Sequence, residues 1–228
     1  VAQPTGAGTV VVFDVNETLS DMAPLAQRFA DLGAPPHLAR LWFASVLRDG
    51  FALAAAGTAE RFAVLADAAL RAVLHGVPVD RPTDAAVAHV LDGFATLDVH
   101  PDVVDGVRAL RGAGFRLATL SNGGAHVAEA LLDRAGICGE FERVLSVEDA
   151  GVWKPAPGAY HHAARELGVD PAGVLLVAVH PWDVDGAGRA GCASAYLRRD
   201  GAPPYPARAR PPDHVVAAVG ELVAVLPR

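Results

Sequence analysis

The chain has 228 residues, of which 52% are hydrophobic and 20% charged, and its formal net charge is −7. That apolar content excludes a disordered chain, and the length suits one large domain or a core carrying a smaller insert. The negative charge argues against nucleic acid or an anionic membrane as partner, while a small anionic ligand, which responds to local charge, stays open.

An apolar, β-branched run, Val10-Val11-Val12-Phe13, predicts a first strand over about residues 9–13. It ends on Asp14, with Asn16 two residues on and Thr18 four residues on. A buried strand ending this way delivers a carboxylate to the C-terminal rim of a parallel sheet, where α/β folds place their chemistry. Four helical stripes follow with no strand between them. They are Leu25, Phe29 and Leu32; Leu38, Leu41, Trp42, Ser45 and Val46; a helix from Thr58 through Phe62, Leu65, Leu70 and Val73; and Val87, Val90, Leu91 and Phe94 behind Thr83 as cap. Together they predict a helical insert over residues 20–97.

Beyond Pro101 the pattern alternates. Helices are expected over residues 103–111, 125–135, 159–167, 183–190 and 215–226, and strands over 115–120, 143–147, 174–179 and 193–197. Such alternation indicates a parallel sheet with right-handed crossovers. The Pro- and Arg-rich stretch 201–212 lacks periodicity and reads as a surface connection. The expected fold class is α/β. Residues 1–19 and 98–228 form a doubly wound, Rossmann-like parallel-sheet core, and residues 20–97 a helical cap domain inserted after the first strand.

Cys138 and Cys192 lack a Cys-x-x-Cys spacing and give no metal or redox signal. No basic segment followed by an apolar one opens the chain, and no apolar run reaches membrane-spanning length. A soluble, cytoplasmic protein is the expectation.

Polar groups gather at four predicted strand ends. After Asp14 and Thr18 come Ser121-Asn122-Gly123-Gly124, whose hydroxyl and N–H groups open a helix and can hold an anion. Lys154 stands before Pro155, and His180-Pro181-Trp182-Asp183 follows the most apolar strand. Taken singly, each has an ordinary explanation: a helix cap, a turn, a solvated lysine, a loop histidine. As an ordered set they are much harder to dismiss.

In this order the motifs resemble the haloacid dehalogenase superfamily, and within it the L-2-haloacid dehalogenase (type II) branch. The resemblance rests on Phe13-Asp14 with Thr18-Leu19, Leu120-Ser121-Asn122, Leu145-Ser146-Val147 before Lys154-Pro155, Tyr160 six residues after the lysine, Trp182-Asp183, and Leu41-Trp42 in the insert. It spans nearly the whole chain. It implies hydrolytic dehalogenation of short 2-haloalkanoic acids to 2-hydroxy acids through an ester on Asp14. The same resemblance makes Lys154 the group that keeps Asp14 ionised. Ser121 and the N–H groups of Asn122 and Val15 would bind the substrate carboxylate. Thr18 and Tyr160 would position the nucleophile and line the site, and Asp183 corresponds to the acid implicated in activating water. Val15, Asn16, Phe43, Phe62, Ser121, Asn122 and Trp182 are the expected substrate-binding residues, with Leu47 a weaker candidate for the apolar wall.

No cofactor and no metal are expected. Phosphotransferases of the superfamily need a second acid two residues after the nucleophile and Mg²⁺ between carboxylates and phosphate. Here Asn16 cannot protonate a leaving group. Aligning Asp183 with the second metal-binding acid puts Ala178 where the first should be. A hydrolase of the same fold acting on another electrophile, such as a phosphate ester, and a lapsed ligand-binding member stay open as alternatives.

Two departures from the family pattern stand out. Phe43 occupies the position of an arginine credited with receiving the halide, and Arg40 and Arg48 on the same predicted helix are candidates to replace it. His180 stands where the family usually has asparagine; it would serve as base in ester hydrolysis, assisted by Asp183. The expected partner is the small 2-haloacid alone, with no nucleic acid and no membrane, and a homodimer stays open.

Overall fold

The computed structural model describes residues 9–226, so residues 1–8 and 227–228 of the expected core lie outside the described residues. Six strands form one parallel sheet in the order β3-β2-β1-β4-β5-β6. The central strand, β1 (Val10–Phe13), is buried throughout, as its unbroken apolar run requires of a strand covered on both faces. Successive residues serve opposite faces. Val11 and Phe13 pack in one apolar cluster, Val10 and Val12 in another.

Four helices follow β1 without an intervening strand: α1 (Leu25–Ala30), α2 (Leu38–Ala55), α3 (Phe62–Leu74) and α4 (Thr83–Ala95). Two details differ from expectation. α3 starts at Phe62 and not Thr58, because Arg61 is extended and the carbonyl of Glu60 is taken by the Trp153 indole N–H. Thr83 is not a cap. Pro82, with φ near −56°, takes the N-cap position and leaves Thr83 inside the first turn without a capping bond. The chain enters and leaves this helical region along paired segments. Ser20 pairs antiparallel with Val99, Asp21 N donates to Asp98 O, and His100 N donates to Leu19 O.

The alternating half continues with α5 (Val103–Gly112), β2 (Arg116–Ser121), α6 (Ala125–Arg134), β3 (Arg143–Ser146), the short α7 (Val147–Ala150) and α8 (Pro157–Leu167). Then come β4 (Val174–Ala178), α9 (Pro181–Arg189), β5 (Ala193–Leu197), β6 (His214–Val216) and α10 (Leu222–Val225). The expected closing helix over residues 215–226 is therefore wrong in its first half. The β-branched pair Val215-Val216 extends the sheet beside β5, with Tyr196 opposite Val215 and Leu197 opposite Val216. Pairing satisfies the outer backbone groups of β5, and that requirement overrides a weak helical stripe.

The chain builds β2 and β3 on one side of β1, then crosses to build β4, β5 and β6 on the other. The reversal lies between β1 and β4, and such a reversal opens a crevice at the carboxyl ends of the strands. Asp14 follows β1 and His180 follows β4 at that point. Among the described residues, no helix is long and apolar enough to cross a membrane.

Candidate active site

Asp14 is the first residue beyond β1, and its N–H donates to Val177 O at 3.0 Å. Its side chain is almost fully buried, and both oxygens are engaged. Oδ2 accepts from the Thr18 hydroxyl at 2.6 Å, and Oδ1 accepts from Lys154 Nζ at 2.8 Å. Thr18 Oγ1 itself accepts from Val179 N at 3.1 Å, which turns the hydroxyl proton toward Asp14. Lys154 Nζ also bonds Asp183 Oδ2 at 2.6 Å, and the Tyr160 hydroxyl donates to Asp183 Oδ1 at 2.6 Å. Asp14, Lys154, Asp183 and Tyr160 thus form one buried line of charge-assisted bonds.

One ammonium between two carboxylates leaves a single negative charge in excess. Burial pushes the Asp14 carboxyl up, but the Lys154 and His180 charges and the bonds from Lys154 and Thr18 outweigh it, so Asp14 lies below its ordinary value. Burial and the Asp14 charge push Asp183 above the ordinary carboxylate range despite Lys154. Burial opposes charge on Lys154, yet the two carboxylates raise its value. Burial and Asp183 raise Tyr160 well above the usual phenol range, so its hydroxyl remains a donor. Of the two carboxyls, Asp14 is the one held low and Asp183 the one held high.

The scaffold holds the lysine through its backbone. The side-chain amide of Asn122 accepts from Lys154 N at 2.9 Å and donates to Lys154 O at 3.3 Å, which ties the β2 rim to the loop before α8. Close backbone approach does the rest. A Cβ at Gly186 would lie 2.6 Å from Pro155 Cβ and 2.7 Å from Tyr160 Oη. At Gly50 it would lie 2.2 Å from the Trp153 ring, so α2 rests directly against the residue before the lysine.

His180 sits at the N-cap of α9 with its ring stacked on Trp182, centroids 5.0 Å apart, and 6.4 Å from the Phe43 ring. Its Nε2 lies 3.2 Å from Asn16 O, 3.6 Å from Glu17 Oε2 and 3.7 Å from Asp14 Oδ2. The expected help from Asp183 is not what the geometry provides. The carboxylate oxygens of Asp183 bond Lys154 and Tyr160, and the carboxylate partners of His180 are Asp14 and Glu17.

Sequence reasoning missed Glu17. Its φ of 63° makes it the single non-glycine residue with positive φ among the described residues, and such outliers gather at functional sites. Burial raises its carboxyl above the ordinary value, with His180 and Arg40 opposing and Asp14 adding to the rise. An acid three residues after Asp14 carries no signal of its own in the sequence. Arg199 was missed as well; it donates to Thr18 O at 2.7 Å and to Asp102 at 2.8 Å, bracing the loop after β1.

The remaining expected residues divide. Val15, Asn16, Phe62 and Ser121 line a pocket between the sheet rim and the helical region, together with Phe94 and Leu97. Ser121 Oγ accepts from Gly123 N at 2.9 Å, which leaves its proton for another acceptor. Phe62 is stacked between Phe94 and Trp153. Trp182 and Phe43 flank His180, and Leu47 packs with the apolar cluster of the helices. Arg48 is exposed and paired with its neighbour Asp49, so it does not replace the arginine missing at position 43; Arg40 is exposed and acts on Glu17. No group of three or more His, Cys, Asp or Glu side chains suited to a metal ion occurs among the described residues. The donor set is a poor fit to Mg²⁺, because the Lys154 ammonium stands between the two carboxylates that would have to share it.

A family model described as haloacid dehalogenase-like hydrolase matches residues 9–191. The (S)-2-haloacid dehalogenase 4A of Burkholderia cepacia is 30% identical over 217 residues, covering 94% of this chain and 93% of that protein. The crystal structure of a dehalogenase is similar with a TM-score of 0.89 at 29% identity, covering 98% of this chain and 99% of that one. The L-2-haloacid dehalogenase from Xanthobacter autotrophicus with chloropropionic acid covalently bound gives 0.84 at 26% identity, covering 96% and 98%.

Proposed function

Because the chain belongs to the haloacid dehalogenase-like hydrolase family, on its L-2-haloacid dehalogenase branch, we propose that it hydrolyses the carbon–halogen bond of short 2-haloalkanoic acids. The observation that carries this reading is the state of Asp14: a buried carboxylate kept ionised by Lys154, with no acid two residues on to protonate a leaving group. A halide leaves without protonation, whereas an alkoxide does not.

In the proposed mechanism the substrate carboxylate lies against Ser121 Oγ and the N–H groups of Val15 and Asn122. An Asp14 oxygen attacks C2 from the face opposite the halogen. The C–O bond forms as the C–X bond breaks, and the halide departs with the electron pair. Asp14 is then an ester, and Lys154 keeps Asp183 as its partner. Water adds to the Asp14 carbonyl carbon, and the tetrahedral intermediate collapses as its hydroxyl proton passes to the departing oxygen, which releases the 2-hydroxy acid and restores the carboxylate. The Glu17–His180 pair, next to Asp14, takes up the water's proton. Phe43, Phe62 and Trp182 keep the alkylation step dry. Residues 20–97 act as a cap on the core of residues 9–19 and 98–226, closing over the crevice. No metal takes part.

Halide release from L-2-chloropropionate in the presence of EDTA is the direct test, with ¹⁸O from labelled water expected in the Asp14 side chain after turnover. Absence of halide together with Mg²⁺-dependent hydrolysis of p-nitrophenyl phosphate would overturn the reading.

A further inference from the structure

The loop after β1 gives its carbonyls to side chains from three other segments. Val15 O is taken within the loop, by the N–H groups of Leu19 at 2.9 Å and Ser20 at 3.0 Å. The next three carbonyls go elsewhere. Asn16 O lies 3.2 Å from His180 Nε2, Glu17 O lies 3.1 Å from His100 Nε2, and Thr18 O accepts from Arg199 at 2.7 Å. His180 follows β4 and Arg199 follows β5. His100 stands where the chain returns from the helical region, and its own N–H donates to Leu19 O at 2.9 Å. A carbonyl oxygen can only accept, so His100 Nε2 carries the proton in its contact with Glu17. Burial and the Arg199 charge hold the His100 ring below its ordinary value, which keeps it neutral near neutral pH.

Two of these contacts bracket Glu17. The peptide carrying Asn16 O precedes the Glu17 Cα, and the peptide carrying Glu17 O follows it. Pinning both planes sets φ and ψ of Glu17, and with them the direction of its Cβ. The restraint is needed here, because a φ of 63° is disfavoured for any residue with a Cβ. Held this way, Glu17 Oε2 lies 3.6 Å from His180 Nε2. We propose that His100 is a positioning residue for ester hydrolysis: it holds the Glu17 peptide so that the Glu17 carboxylate faces His180. The inference rests on the dehalogenase reading, with the Glu17–His180 pair as acceptor of the water's proton. Asp14 is held by other groups, Lys154 Nζ and a Thr18 hydroxyl anchored on Val179 N. Loss of the His100 contact therefore spares the attack on C2 and slows hydrolysis of the ester.

The test compares His100→Phe, which keeps a ring and removes the donor, with His100→Gln, which keeps an N–H at nearly the reach of Nε2. With L-2-bromopropionate, His100→Phe should leave kcat/KM for halide release close to wild type while kcat falls about tenfold. Intact-protein mass spectra of acid-quenched samples should show the Asp14 ester accumulating, with its decay slowed by the same factor. His100→Gln should recover most of the loss, which a ring that only fills space would not allow. If a thermal melt shows His100→Phe unfolded, His100→Asn takes its place, its amide too short by a methylene to reach Glu17 O. Ester decay at the wild-type rate, kcat and kcat/KM falling together, or His100→Gln as impaired as His100→Phe would each overturn the positioning role and leave the dehalogenase reading intact. A wild-type protein that releases no halide would overturn both.

Discussion

Lys154 serves stability and chemistry with one atom. Its Nζ neutralises Asp14 and Asp183 at 2.8 and 2.6 Å in a site closed to water. Lys154→Met leaves two buried carboxylates facing each other, which should cost about 3–5 kcal/mol by urea denaturation and abolish halide release. The pH dependence has a definite sign. The folded value of Lys154 is raised, so its contribution is fully present below its unfolded value and is lost as pH rises through the folded one. The stability difference between wild type and Lys154→Met should therefore be flat from pH 7 to about 10 and shrink above that.

Glu17 poses the opposite trade. A glycine would relieve its left-handed backbone, so Glu17→Gly should raise stability by about 1 kcal/mol in a thermal melt. The same change should lower kcat about tenfold or more, and a gain in both would remove Glu17 from the mechanism. Asp14, Thr18, Lys154 and Tyr160 were legible because each stands near a strand end or a proline in a recognisable order. Glu17 and the grip of Asn122 on Lys154 were not. Both depend on where a side chain points after folding, and composition does not encode that.

Elements read well wherever one face met one core. The central strands and the main helices were legible to within a few residues, because continuous apolar runs and helical stripes reflect burial directly. β6 was not, since its conformation answers to the unsatisfied edge of β5 and not to its own pattern. Helix α9 shows a related limit. Gly186 looks like a weak point in a helix, and replacing glycine by alanine there would gain about 1 kcal/mol from propensity alone. The packing reverses the sign. A Cβ would meet Pro155 and the Tyr160 hydroxyl under 3 Å, and overpacking of this kind typically costs about 1–3 kcal/mol. Gly186→Ala should therefore lower the melting temperature, and it should reduce kcat by prising Tyr160 from Asp183. A stabilised, fully active variant would show that α9 yields without disturbing the site.

At the scale of the molecule, the helical region and one face of the sheet are a single apolar body. Trp42 and Leu70 belong to the same cluster as Val10, Val12 and Leu120. Two contacts stitch the halves together near the site, Trp153 Nε1 to Glu60 O at 2.8 Å and Phe62 N to Glu148 at 3.3 Å. Unfolding should thus be cooperative: tryptophan fluorescence and far-ultraviolet circular dichroism are expected to give coincident transitions in denaturant. Two separated transitions would mean that the cap melts by itself.

The pairing of Ser20 with Val99 has a consequence of another kind. Seen from the sheet, residues 21–98 amount to the tip of one long hairpin, because the chain departs and returns at adjacent points. The distance from β1 to α5 is then indifferent to how much polypeptide hangs between them. A helical region of another length or shape could be grafted through this one pair of junctions without altering a strand register, and the graft would replace one wall of the crevice while Asp14, Lys154 and α6 stayed where they are.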